Sequence, residues 1–180
     1  MKRIKNISII LVGNWNTKIF KPSWVMSELL GLQGNEELEL GFDNNLQPIY
    51  KYKNLRLIPT DRAFEIRFEN INNELIEIAN RIVIKLITTL PFTPNLLAGF
   101  NYKLPYNCKI KDLKIPDYTN KYSLSEIKLI KIEPDYTVNV ILSCGETKYV
   151  MYNFHYKDLG FIKENTIKNH INYIIKQHGN

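Results

Sequence analysis

The side chains best equipped for chemistry in this 180-residue chain are three histidines, and their spacing limits what they can do. His155 ends an alternating stretch in which Tyr149, Met151, Asn153 and His155 share one side, while Val150, Tyr152, Phe154 and Tyr156 share the other. With the second set as core, His155 points outward and Asp158 follows just beyond it. A histidine beside an acid is the pairing of a general base, so His155 and Asp158 are the catalytic candidates. The plainer reading is a half-buried strand histidine. His170 and His178 are eight positions apart on a helical stretch, about 12 Å of rise, too far to ligate one metal by themselves. They read as solvent-facing. No HExxH, P-loop, GxGxxG or GxSxG pattern occurs, so neither a metal nor another cofactor is expected.

Two further groups could bind rather than catalyse. Lys103, Lys109, Lys111 and Lys114, with Asp112 among them, form the nearest thing to a basic cluster and are the candidate nucleic-acid contacts. A solvated loop is the plainer alternative. Arg62, in the turn Thr60-Asp61-Arg62, offers a guanidinium to an anion. Eight of the 11 tyrosines fall between Tyr102 and Tyr156, and aromatics beside lysine stack bases or anchor proteins. The stretch Lys148 to Tyr156 lacks the glycines of an RNA-recognition strand, which favours Tyr149, Met151 and Tyr152 as partner-binding residues.

The elements that must position these residues are legible in the periodicity. Ile4 to Val12 reads as a central strand closed by Gly13-Asn14. Pro22 to Leu30, with Gly31 beyond, reads as a short helix. Residues 36 to 69 alternate as a meander, most cleanly at Phe64, Ile66 and Phe68 against Glu65, Arg67 and Glu69. From Leu75 to Leu90 the apolar residues recur at helical spacing, with Asn72 or Asn73 as cap and Pro91 as stop. Residues 94 to 104 return as a strand. Three more follow at Leu124 to Glu133, Tyr136 to Leu142 and Thr147 to Tyr156, before a closing helix lined by Ile167, Ile171, Ile174 and Ile175. This order predicts an α+β fold, an antiparallel meander sheet with one long and one C-terminal packing helix. One domain over 1–180 is expected; an alternative division sets halves 1–104 and 121–180 either side of the loop 105–120.

Composition excludes several classes. The chain is 44% hydrophobic and 23% charged, ordinary for a globular protein, and its charge of +6 is spread along its length. Cys108 and Cys144 show no metal-ligand spacing and no disulfide framework. The apolar run Ile7 to Val12 is too short for a signal peptide or membrane span, so a cytoplasmic protein without membrane contact is expected.

The stretch from Asn6-Ile7-Ser8-Ile9 through Gly13-Asn14-Trp15-Asn16 to Ile19-Phe20-Lys21-Pro22-Ser23-Trp24 resembles the opening of an uncharacterised, sporadically distributed family of hypothetical bacterial proteins. Gly99-Phe100-Asn101 and Asn153-Phe154-His155-Tyr156 are similar to later landmarks of that family. The resemblance implies a bacterial origin and an accessory role such as phage defence; it implies no catalytic residue. Three functions follow as expectations. The first is a non-catalytic interaction protein within a larger assembly, binding a partner or itself through edge strands at Leu124 to Ile132 and Lys148 to Tyr156. The second is a nucleic-acid binder using the Lys/Tyr-rich C-terminal half. The third is an enzyme with His155 as base.

Overall fold

The structure, a computed structural model, describes residues 4–33, 36–94, 96–105, 125–144 and 148–178. Nine strands among them form one sheet: β1 Asn6–Val12, β2 Glu39–Phe42, β3 Pro48–Tyr52, β4 Leu55–Pro59, β5 Ala63–Phe68, β6 Leu97–Pro105, β7 Glu126–Ile132, β8 Thr137–Ser143 and β9 Tyr149–Tyr156. Their order is β2-β3-β4-β5-β1-β6-β9-β8-β7, and every neighbouring pair is antiparallel. Three α-helical segments accompany them: α1 Pro22–Trp24, α2 Asn73–Thr89 and α3 Thr166–Gln177. The fold is α+β, as the segregation of strand and helix periods requires. The sheet runs unbroken through β6 and β9, so strands from both sides of the connection 105–120 lie edge to edge.

Period-2 alternation divides the sheet into two unlike faces. Tyr50, Leu57, Ile66, Ile9, Phe100, Phe154 and Val138 lie directly opposite one another on seven successive strands, and none is more than 2% exposed. This row is the spine of the core. One register step away, on the other face, Arg67, Ser8, Asn101, Asn153 and Asn139 form an equally continuous row, and all are exposed or half-buried. That face carries no helix among the described residues.

The helices cover the apolar face. α2 buries Leu75, Ala79, Ile82, Val83 and Leu86 at helical spacing, and the Asn72 side chain accepts a hydrogen bond from Leu75 N at 2.8 Å to cap it. α1 opens on Pro22 and passes into a π-helical turn, Val25–Leu30, closed by Gly31 at φ 65, a left-handed conformation glycine adopts freely. The expected short helix is therefore present, but its second turn is wound more widely. α3 buries Ile167, Ile171 and Ile174, whereas Ile175, expected on the same lining, is 49% exposed. The neighbours Ile174 and Ile175 are about 100° apart on the helix, so both cannot face one sheet.

Asn80 joins the two long helices. Its Nδ2 donates to Lys163 O at 2.8 Å, and its Oδ1 accepts from Ile167 N at 3.3 Å, with the residue 2% exposed. Ile167 is in the first turn of α3, where backbone N–H groups have no partner within their own helix. A side chain of α2 thus supplies a cap that Asn165, which makes no side-chain cap bond, does not.

Candidate functional site

The largest departure from the sequence expectation lies at His170. It does not face solvent: it is 3% exposed, stacked on Phe154 at 3.9 Å and 12° between ring planes, with Phe100 edge-on at 5.1 Å. Its Nδ1 is 3.0 Å from the Tyr102 hydroxyl and its Nε2 2.7 Å from that of Tyr156. Burial lowers the His170 pKa to about 3, so the ring is neutral and has one donor and one acceptor nitrogen. Burial also raises the pKa of both tyrosines, which keeps them protonated. One hydroxyl donates to the ring while the other accepts from it. His178 likewise turns inward, its Nε2 2.9 Å from the Tyr152 hydroxyl. The correction has a simple cause: β9 places tyrosines on its core face, and each hydroxyl needs a polar partner from the helix above.

Tyr152 is corrected by the same geometry. At 5% exposed it belongs with Val150 and Phe154 in the core, not on a contact surface. The strand that holds it is no edge either, since β9 is paired with β6 on one side and β8 on the other. Of the two strands expected at edges, β7 alone is one.

His155 does point to the open face, where it is exposed and lies opposite Gly99 and Thr137. Its pKa is lowered by partial desolvation and then by Lys128, the reverse of the effect of a neighbouring carboxylate. The Asp158 side chain is engaged elsewhere, accepting from Gly160 N at 2.8 Å to cap the turn Leu159–Phe161. Beside His155 runs an amide ladder. Asn101 Nδ2 donates to Ser8 Oγ at 3.3 Å, Asn153 Nδ2 donates to Asn101 Oδ1, and Asn139 stands opposite Asn153. Asn153 Oδ1 is buried and accepts no hydrogen bond among the described residues. The ladder fixes the register of β1, β6 and β9 through polar groups, a device independent of the apolar spine behind it.

Two classes of candidate do meet on this face. The Lys103 ammonium lies over the Tyr149 ring, 3.9 Å from its centroid, and Lys103 is opposite Met151. Lys109, Lys111 and Lys114 lie outside the described residues, so the basic cluster is represented by Lys103 alone. Arg62 is far along the chain from these groups, in the β4–β5 turn; its N–H donates to Thr60 Oγ1 at 3.3 Å and its carbonyl accepts from Gly13 N at 3.0 Å. Gly13 has no room for a side chain, because a Cβ there would meet Thr93 Cγ2 at 2.9 Å and Pro94 O at 3.3 Å. Its role is close packing of two turns.

Among the described residues the sheet ends in two edges, β2 and β7. β7 pairs with β8 alone among the described residues, and Leu129, Ile130 and Ile132 are 54%, 61% and 81% exposed. Leu129 lies on the helix side, opposite Val140, whereas Ile130 and Ile132 lie on the open side, opposite Asn139 and Thr137. At the other end β2 exposes Leu40 and Phe42. Among the described residues are two clefts of about 330 Å³ and 310 Å³, besides a smaller one of about 150 Å³ between α2 and α3. The first lies between the π-helical turn and α2 and mixes Arg81 and Lys85 with Glu28 and Glu164; the second lies under Pro91 and Phe92 beside Trp15. Neither gathers convergent polar groups of one kind. No group of histidine, cysteine and acidic side chains able to hold a metal occurs among the described residues, and no described helix is long and apolar enough to cross a membrane.

Compared with protein-family models and with curated proteins, the chain matches none.

Proposed function

We propose that the protein is a non-catalytic interaction module that takes a partner strand onto the free edge of β7. The observation that carries this reading is β7 itself, seven residues long, unpaired on one side among the described residues, and apolar toward solvent on both faces. An exposed strand edge is a row of free N–H and C=O groups, and an added strand satisfies them while covering side chains above and below. Lysine is a common guard of such edges, and β7 contains two. Lys131, however, is drawn to Glu133 and lies 5.7 Å from the Tyr173 ring centroid, which takes it away from the edge. Lys128 is the other lysine of β7; it is exposed and makes no ion pair among the described residues.

Against this, the open face supports base stacking weakly. The Tyr149 ring, where a nucleobase would stack, is already in contact with Lys103. The arrangement of His155 and Asp158 gives no base oriented by an acid. The test is co-purification with cross-linking at native expression, comparing the wild type with Ile130→Lys/Ile132→Lys. Loss of the associated chain at an unchanged thermal midpoint is expected. An associated chain retained by the folded variant, or none in the wild type, overturns the reading.

A further inference from the structure

Among the described residues the sheet has β2 at one edge and β7 at the other. We infer that the strand received by β7 is β2 of a second copy, so that the protein assembles head to tail by continuing its own sheet. This rests on the reading of β7 as the docking edge.

Three observations support it. The first is direction: nine strands alternating antiparallel make the first and last, β2 and β7, run the same way. A second copy set beyond β7 with its helices on the same side therefore presents β2 parallel to β7. The second is the division of faces. On β2, Leu40 and Phe42 lie on the helix side, opposite Tyr50 and Pro48, while Glu39 and Gly41 lie on the open side. On β7, Leu129 lies on the helix side and Lys128 and Ile130 on the open side. With Glu39 beside Lys128, Leu40 falls beside Leu129 and Gly41 beside Ile130, so charge meets opposite charge and both faces stay consistent. The third is charge. Glu36, Glu37 and Glu39 precede and open β2, Glu39 staying largely exposed although 3.6 Å from Lys51, whereas β7 offers Lys128, since Lys131 is paired with Glu133. Glu39 and Lys128 attract across such a contact.

A contact between two different surfaces of one chain does not close as a dimer; it propagates into a ring or filament. At about 4.8 Å per strand, each copy advances the sheet by roughly 43 Å.

Light scattering on the full chain across a range of concentrations reads the outcome. Wild type should grow in mass with concentration, Glu39→Lys and Lys128→Glu should each remain monomeric, and the double variant should assemble again. A second arm mixes a copy blocked at β7, Ile130→Pro, with one blocked at β2, Leu40→Pro. Each alone should be monomeric, and the mixture should stop at a 1:1 dimer, with circular dichroism showing both folded. A monomeric wild type at all concentrations overturns the inference while leaving the strand-addition reading to its own co-purification test. Assembly broken by Ile130→Pro but not by Leu40→Pro or Glu39→Lys overturns the assignment of β2. Assembly unaffected by either block overturns both.

Discussion

The hydroxyl of Tyr156 lies 2.7 Å from Nε2 of His170, and two helical turns later His178 meets Tyr152 at 2.9 Å. Eight residues of helix rise about 12 Å and four residues of strand about 13 Å, so the two histidines of α3 and the two tyrosines of β9 match in step. The spacing that excludes a shared metal is the spacing that fastens a helix to a strand.

This pairing makes the fold sensitive to acid. His170 has a pKa of about 3 in the fold against an ordinary 6.5. Below pH 6.5 the unfolded chain binds a proton that the folded chain refuses, so acid favours unfolding. The contribution is complete above pH 6.5 and declines as the pH falls toward 3, by about 1.4 kcal/mol per pH unit for one proton. Denaturant titrations of wild type and His170→Gln at pH 7, 6 and 5 should show a shallower pH slope in the variant. Equal slopes would mean that His170 is not the buried neutral group.

Two asparagines, one local and one tertiary, should differ in cost. Asn72→Ala removes an N-cap and should cost about 1 kcal/mol. Asn80→Ala leaves the buried Ile167 N without its partner, while Lys163 O keeps its bond from Thr166 N at 3.0 Å, and the orphaned N–H costs about 1 to 3 kcal/mol. Chemical denaturation of the two variants side by side checks the order, and a larger loss for Asn72→Ala would remove Asn80 from its role as the cap of α3.

Ile82 is 1% exposed at the centre of the buried stripe of α2. Ile82→Ala should cost about 2 to 5 kcal/mol. Half-buried Ile84 at a neighbouring face provides no equivalent test, but Glu77→Ala, at an exposed position, should stay within about 0.5 kcal/mol. Comparable losses at both positions in urea would mean that the helix faces are assigned wrongly.

Much of the fold was legible because its signals are local. Phe64, Ile66 and Phe68 against Glu65 and Arg67 is a pattern of period 2, and the long helix shows both its period and its Asn72 cap within a few residues. The binding surface was only half legible. A strand's alternation is visible in sequence, but whether another strand lies beside it is not, which is why β7 and β9 read as equivalent edges while the structure separates them. The period of β9 places Tyr152 on the core side and its residue type suggests a contact surface; the period is the better guide.

The sequence alone determined the element types, the apolar face of each and the antiparallel α+β class, since these follow from side-chain periodicity and turn chemistry over a few residues. The tertiary structure decided the rest. It buried His170, because the hydroxyls of Tyr102 and Tyr156 on two different strands require a partner there. It gave α3 a cap from Asn80, and it left β2 and β7 at opposite ends of the sheet. Each of these depends on which residues distant in the chain become neighbours, and strand order, which settles that, leaves no mark on the period of any single strand.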